Sequence, residues 1–134
     1  MPAEIPWDRM FELAHAVRAQ AHAPYSDFKV GATGLFEDGL LVSGCNVENA
    51  SYGLAVCAER NAIGAAVAQG KKRLLAIAIV ADSAKPCPPC GMCRQVMAEF
   101  AAPSIRVRAR NLQGEQTDHA LEELLPHAFT QRFL

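Results

Sequence analysis

Residue 57 and residues 90 and 93 have to meet. Cys57 stands in Val56-Cys57-Ala58-Glu59-Arg60, and about thirty positions on, Pro89-Cys90-Gly91-Met92-Cys93-Arg94 carries two more cysteines. Three thiolates in this pattern form a ligand set for a zinc ion that keeps one tetrahedral position open, whereas a structural zinc is closed by four protein ligands. Glu59, two residues past Cys57, is then the acid/base candidate beside that position. The fold must bring two distant segments to one point, and this constrains the chain more than its composition does.

The surrounding chain alternates helix and strand signals. Behind Pro6, residues 6–22 set Met10, Phe11, Leu13, Ala14 and Val17 at roughly helical spacing, which reads as an amphipathic helix packed on one face of a sheet. Pro24-Tyr25-Ser26-Asp27 breaks it. Phe28 to Phe36 and Leu40 to Asn46 flank Asp38-Gly39 and read as a hairpin. Asn46 to Gly53 is polar and turn-rich, and Cys57 to Gln69 reads as an alanine-rich helix stopped at Gly70. Leu74 to Val80 is apolar without alternation, the pattern of a strand covered on both faces, so it marks the middle of the sheet. Pro86, Pro88 and Pro89 enforce an extended loop before a helix that runs from Cys90 to about Ala101 and stops at Pro103. From Ser104 to Asn111, Ile105, Val107 and Ala109 alternate with Arg106, Arg108 and Arg110. That is a half-exposed strand towards an edge, its arginine stripe a solvated face. Gln113-Gly114 turns the chain, and residues 121–125 form a short helix before Pro126. The order gives an α/β layered structure with a mixed sheet. Two strand-to-helix crossings bring two helix N-termini to the same edge, and those N-termini carry the three cysteines.

Zinc with three thiolates has a net charge of −1, which by itself makes bound water hard to deprotonate. Two helix N-termini, each worth about half a positive charge, and the guanidinium of Arg60 or Arg94 offset that charge and favour the thiolate form. Arg60 then tunes the metal from behind its ligands. Cys57, Cys90 and Cys93 could instead be ordinary buried cysteines, against which stand a CxxC pair beginning one helix and a CxE beginning another; two further alternatives involve Cys87. Cys87, three residues before Cys90, could join Cys90 and Cys93 in a local clamp or close a four-cysteine structural site. Cys45 reads as a strand residue, and His15, His22, His119 and His127 are scattered, with none preceding a glutamate in an HxE arrangement.

Composition narrows the function classes. A chain of 134 residues, 51% hydrophobic and 20% charged, is sized for one domain, here 1–134. With a net charge of −1 and no basic run longer than Lys71-Lys72-Arg73, it has no footprint for a nucleic acid. Leu74 to Ala81 is too short for a membrane span, and Met1 to Asp8 lacks a basic n-region and an apolar h-region. Five cysteines without a secretion signal are expected as reduced thiols in a soluble cytoplasmic protein.

The two cysteine segments, extended to Gln95, resemble those of the zinc-dependent cytidine deaminases, in particular the small three-cysteine, single-domain type. The likeness extends to Pro24-Tyr25-Ser26-Asp27-Phe28-Lys29-Val30-Gly31-Ala32, Asn46-Val47-Glu48-Asn49-Ala50-Ser51-Tyr52 and Leu124-Leu125-Pro126-His127-Ala128-Phe129, so it spans about residues 24 to 129. It implies a three-layer sandwich: a central mixed sheet of about five strands with helices on both faces. It also implies one Zn²⁺ per subunit on Cys57, Cys90 and Cys93. Water activated there attacks C4 of cytosine while Glu59 carries protons to N3 and to the leaving amino group. Substrate contacts fall by resemblance on Phe28, which packs on the pyrimidine, on Asn46 and Glu48, which bind ribose hydroxyls, and on Val47 and Ala58. The resemblance further implies a homotetramer in which Ala50, Tyr52 and Phe129 complete neighbouring sites, and a small-molecule nucleoside as partner. A deaminase of a nucleoside-like antibiotic and a zinc-stabilised module without turnover are the rival readings, and an intact Glu59 argues against the second.

Overall fold

Pro6 caps the first helix, α1, over Trp7–Arg18. Asp8 in its first turn and His15 and Arg18 in its last match the helix dipole. The computed structural model describes residues 4–134; Met1, Pro2 and Ala3, part of the N-terminal stretch and of the 1–134 domain read above, lie outside the described residues. Met10, Phe11 and Ala14 form the buried stripe of α1 and pack with Ala76, Ala78 and Val80 on one face of the sheet.

The hairpin joins β1 (Val30–Phe36) to β2 (Leu41–Cys45) in antiparallel register, with Gly31 opposite Cys45 and Leu35 opposite Leu41. Its turn carries Asp38 at φ 62 and Gly39 at φ 77, the two consecutive left-handed residues that suit a tight hairpin. Helix α2 follows over Ala58–Ala68 and ends at Gly70, whose φ of 82° lets Lys71 N–H bond back to Ala66 O at 3.0 Å. The apolar run is strand β3 (Leu74–Ala81), buried throughout except for Leu75. Helix α3 covers Gly91–Phe100, strand β4 Ala101–Arg110, strand β5 Gln116–Ala120, and a last helical turn, α4, Leu121–Leu124.

The five strands lie in the order β2-β1-β3-β4-β5, with β3 and β4 parallel and the other neighbours antiparallel. Beneath the face opposite α1, Ala58, Ile63 and Ala66 of α2 and Met97 of α3 pack against Ala32, Phe36, Ile77, Ile79 and Val107. Each large apolar side chain buried there stabilises the fold by about 1.5–3 kcal/mol. Helices on both faces of a mixed five-stranded sheet make the three-layer sandwich implied above.

The edge expectation for residues 104–111 is corrected. β4 is an inner strand, because β5 pairs outside it from Arg106↔Ala120 to Arg110↔Gln116. Its arginine face is covered as well. Arg108 lies over the Trp7 ring at 4.3 Å and Arg110 over Phe11 at 3.9 Å, while Asp118 on β5 accepts from Arg106 Nε at 3.0 Å and Arg108 Nε at 2.9 Å. Pro103 sits in the irregular stretch where the pairing jumps from Leu74↔Ala101 to Ala76↔Arg106, so it interrupts no ladder bond.

Candidate active site

Cys57 is the N-cap of α2 and Cys90 the N-cap of α3, with Cys93 one turn inside α3. The crossings after β2 and β3 thus bring both helix starts together. Cys57 Sγ lies 3.7 Å from Cys90 Sγ, and Cys90 Sγ lies 3.4 Å from Cys93 Sγ; all three sulfurs are within 4.8 Å of one another. Zinc–sulfur bonds of about 2.3 Å in tetrahedral geometry require sulfurs about 3.8 Å apart, so the set fits one zinc ion per chain. Among the described residues, no fourth Cys, His, Asp or Glu reaches all three sulfurs. Cys87 is outside the set, its thiol 3.6 Å from Pro88 O, and Cys45 ends β2 half-buried. The same convergence perturbs the thiols. A hydrogen bond from Cys93, with help from Arg60, draws Cys57 down to about 5, while that bond and burial hold the Cys93 proton in place.

Glu59, in the first turn of α2, is only 4% exposed. Burial pushes its carboxyl up to about 7, opposed by its own backbone N–H and reinforced by the Cys57 charge. Ala58, beside it, is fully buried. Arg60 Nη2 donates to Ala55 O at 3.3 Å and lies 3.9 Å from Cys57 Sγ, and Arg60 Nε is buried without a protein partner. Arg94 turns elsewhere. Its Nε donates to Pro89 O and its Nη1 to Leu124 O, both at 2.8 Å, so it ties the α3 start to the C-terminal segment.

The polar loop after β2 reaches the sulfurs through single-residue bridges that no periodicity announces. Val47 and Val56 exchange both backbone hydrogen bonds at 2.9 Å, directly before Cys57. On the other side His22 N–H donates to Asn46 O at 3.0 Å, and Glu48 N–H donates to His22 O at 2.8 Å. Asn46 and Glu48 are thereby held one short bridge from the first cysteine. Asn46 Nδ2 donates to Phe28 O and its Oδ1 accepts from Val30 N–H, both at 2.8 Å. Glu48 Oε1 accepts from Tyr25 N–H at 2.9 Å and Ser26 N–H at 3.2 Å, and Ser26 Oγ donates to Glu48 Oε2. These bonds, that from the Ser26 hydroxyl first, hold the Glu48 carboxyl below its usual range.

Phe28 and Val47 are exposed, and Tyr25, Ser26, Glu48, Asn49, Tyr52 and Ala55 line a cavity of about 320 Å³. Ala50, Tyr52 and Phe129 all face outward; Tyr52 is 75% exposed and packs edge-on against Tyr25, and Phe129 is 60% exposed and stacks on Phe133. Sequence reasoning missed Ser26. Its signal was available: a serine two residues before an aromatic can close a side-chain turn, and Ser26 Oγ accepts from Phe28 N–H at 3.0 Å.

Fold and site together define a class: an α/β metalloenzyme whose zinc is held by three cysteines at two helix starts. Residues 7–109 match the family model described as the cytidine and deoxycytidylate deaminase zinc-binding region. The chain belongs to that family. It is 49% identical over 125 residues to a cytidine deaminase of Halalkalibacterium halodurans, covering 92% of this chain and 95% of that one. It is 43% identical over 127 residues to one from Sporosarcina psychrophila, covering 95% and 93%. The crystal structure of cytidine deaminase from Burkholderia pseudomallei superposes with a TM-score of 0.89 at 46% identity, covering 93% of this chain and 100% of that one. That from Mycobacterium tuberculosis does so with a TM-score of 0.82 at 40% identity, covering 94% and 98%. Among the described residues no helix is long and apolar enough to cross a membrane.

Proposed function

We propose that this chain is a single catalytic domain that converts cytidine and deoxycytidine, with water, to uridine and deoxyuridine plus ammonia, a step of nucleoside salvage. The observation that carries this reading is a buried carboxylate, Glu59, beside a three-sulfur cluster at two helix starts. Cys57, Cys90 and Cys93 hold the zinc ion, which supplies a Lewis acid that makes water nucleophilic near neutral pH. Glu59 takes one proton from the attacking water and delivers it to N3, then takes the second from the hydroxyl now on C4 and delivers it to the amino group, which leaves as ammonia while C4 becomes a carbonyl. A carboxyl that titrates near 7 suits both halves of that exchange. Arg60 offsets the charge of the thiolates, a role supported by its 3.9 Å approach to Cys57 Sγ.

Phe28 packs on the pyrimidine and Asn46 and Glu48 bind the sugar, with Val47 and Ala58 completing the lining. The bridge between Val47 and Val56 supports this, because it joins the sugar side to the zinc side. The enzyme works as a homotetramer in which Ala50, Tyr52 and Phe129 complete neighbouring sites, supported by the exposure of all three. Its setting is the cytoplasm, where thiols such as these stay reduced. The test is loss of cytosine absorbance and release of ammonia from cytidine by purified protein, with Glu59→Gln as control. Wild type turns over; the variant keeps one zinc per chain and loses about 10²–10⁴-fold in kcat. Equal turnover in both removes Glu59 from the mechanism.

A further inference from the structure

The turn between α1 and β1 does more than connect them. Asp27 takes a left-handed φ of 57°, and its N–H closes on Ala23 O at 2.9 Å, so the chain folds back on itself there. That reversal turns the Tyr25 and Ser26 N–H groups and the Ser26 hydroxyl onto one carboxylate, Glu48. The same hydroxyl accepts the N–H of Phe28. Phe28 is gripped from its other side too, because its carbonyl accepts from Asn46.

A count of lone pairs and protons shows what remains for a ligand. An ionised carboxylate offers about four acceptor sites. Two on Glu48 Oε1 are taken by backbone N–H groups and one on Oε2 by Ser26. One is left, on Oε2, the oxygen that Ser26 fixes. Asn46 has spent one of its two N–H donors on Phe28 O. The unspent donor and the unspent acceptor are the complement of a single hydroxyl group.

We propose that Ser26 is a positioning residue: through its one proton it sets the sugar-reading carboxylate of Glu48, while Phe28 keeps its place through the bond from Asn46 to its carbonyl. The proposal rests on the nucleoside reading given above. Ser26 donates its only proton to Glu48 and so acts through that carboxylate. Its loss frees Oε2 to rotate and releases the Phe28 N–H, while Glu59 and the three cysteines keep their own partners. The effect falls on substrate binding and leaves the proton-transfer step alone.

The test compares wild type, Ser26→Ala, Ser26→Thr and Glu48→Gln on cytidine and on 2′,3′-dideoxycytidine, each protein loaded with zinc and checked for an unchanged melting temperature. Ser26→Ala raises KM for cytidine about tenfold, the weight of one hydrogen bond to a charged group, with kcat within about twofold. Ser26→Thr, which keeps the hydroxyl, restores KM to within about threefold of wild type. With dideoxycytidine, which lacks the hydroxyl to be read, Ser26→Ala shifts KM by less than about twofold, and in a Glu48→Gln background it adds nothing further. An unchanged KM, an equal rise for the dideoxy substrate, or additivity with Glu48→Gln overturns the assignment while cytidine turnover stands. Absence of turnover by wild type overturns the nucleoside reading and this proposal together.

Discussion

Two glutamates eleven positions apart are treated in opposite ways. Glu59 is withdrawn from water and its carboxyl rises to about 7, whereas Glu48 sits near the surface, wrapped by donors that keep it ionised. Environments that push two carboxyls apart mark one as a proton carrier and the other as a fixed anion. Cysteines divide in the same way. Cys87 stands three residues from Cys90, yet its thiol is outside the cluster, so Cys87→Ser retains one zinc per chain by elemental analysis. Cys57→Ser loses it, and its melting temperature falls to that of chelated wild type, because a three-thiolate zinc centre joins two helix starts and stabilises the fold directly. Loss of zinc in Cys87→Ser would exchange the ligand sets. The cysteines and Glu59 were legible because their signal is local, a spacing of two or three residues within one helix turn. Asn46 was legible only by resemblance: its partners, Phe28 and Val30, lie on a segment that approaches after the hairpin has formed.

At the scale of elements, the register of α2 on β2 sets where Cys57 and Glu59 point. A Cβ on Gly44 would lie 2.5 Å from Ala62 N and 2.6 Å from Ala58 O, both backbone atoms of that helix. Gly44→Ala must therefore push the α2 start away from the sheet. Overpacking of this kind costs about 1–3 kcal/mol, and the shift moves Cys57 and Glu59 relative to α3. The variant is expected to melt several degrees lower and to bind zinc less tightly in a chelator competition; unchanged zinc affinity would show that the helix start tolerates the displacement. The hairpin, α2 and β3 could be read in advance because each carries its own punctuation: Asp38-Gly39, Gly70, and an unbroken apolar run. β5 could not. Gln116-Thr117-Asp118-His119-Ala120 has no apolar alternation, since it is an edge strand whose bonds go to β4 and whose Asp118 answers the arginines of its neighbour. Missing β5 made β4 look like the edge and its arginines look solvated, although Trp7 and Phe11 cover two of them.

At the scale of the whole molecule, several large apolar side chains stand outside the core. Tyr52, Leu54, Met92, Phe129, Phe133 and Leu134 are all more than half exposed; on the outside Tyr52 packs edge-on against Tyr25, and Phe129 stacks on Phe133. Single exposed apolar residues are ordinary, but clustered aromatics on a protein of this size mark an interaction surface. The homotetramer proposed above accounts for them if Tyr52 and Phe129 enter neighbouring sites. Sedimentation velocity of the zinc-loaded protein then shows a species near four chains of 14.4 kDa. Phe129→Asp, which puts a charge into an apolar contact, shifts it towards smaller species, and specific activity falls with the loss of assembly and recovers on raising the protein concentration. Gln95 Nε2 donates to the Phe129 backbone carbonyl at 2.8 Å, so the substitution leaves the local anchoring of the segment in place. A dissociated variant with full activity per chain would mean that each subunit holds a complete site and that the outward aromatics serve assembly alone.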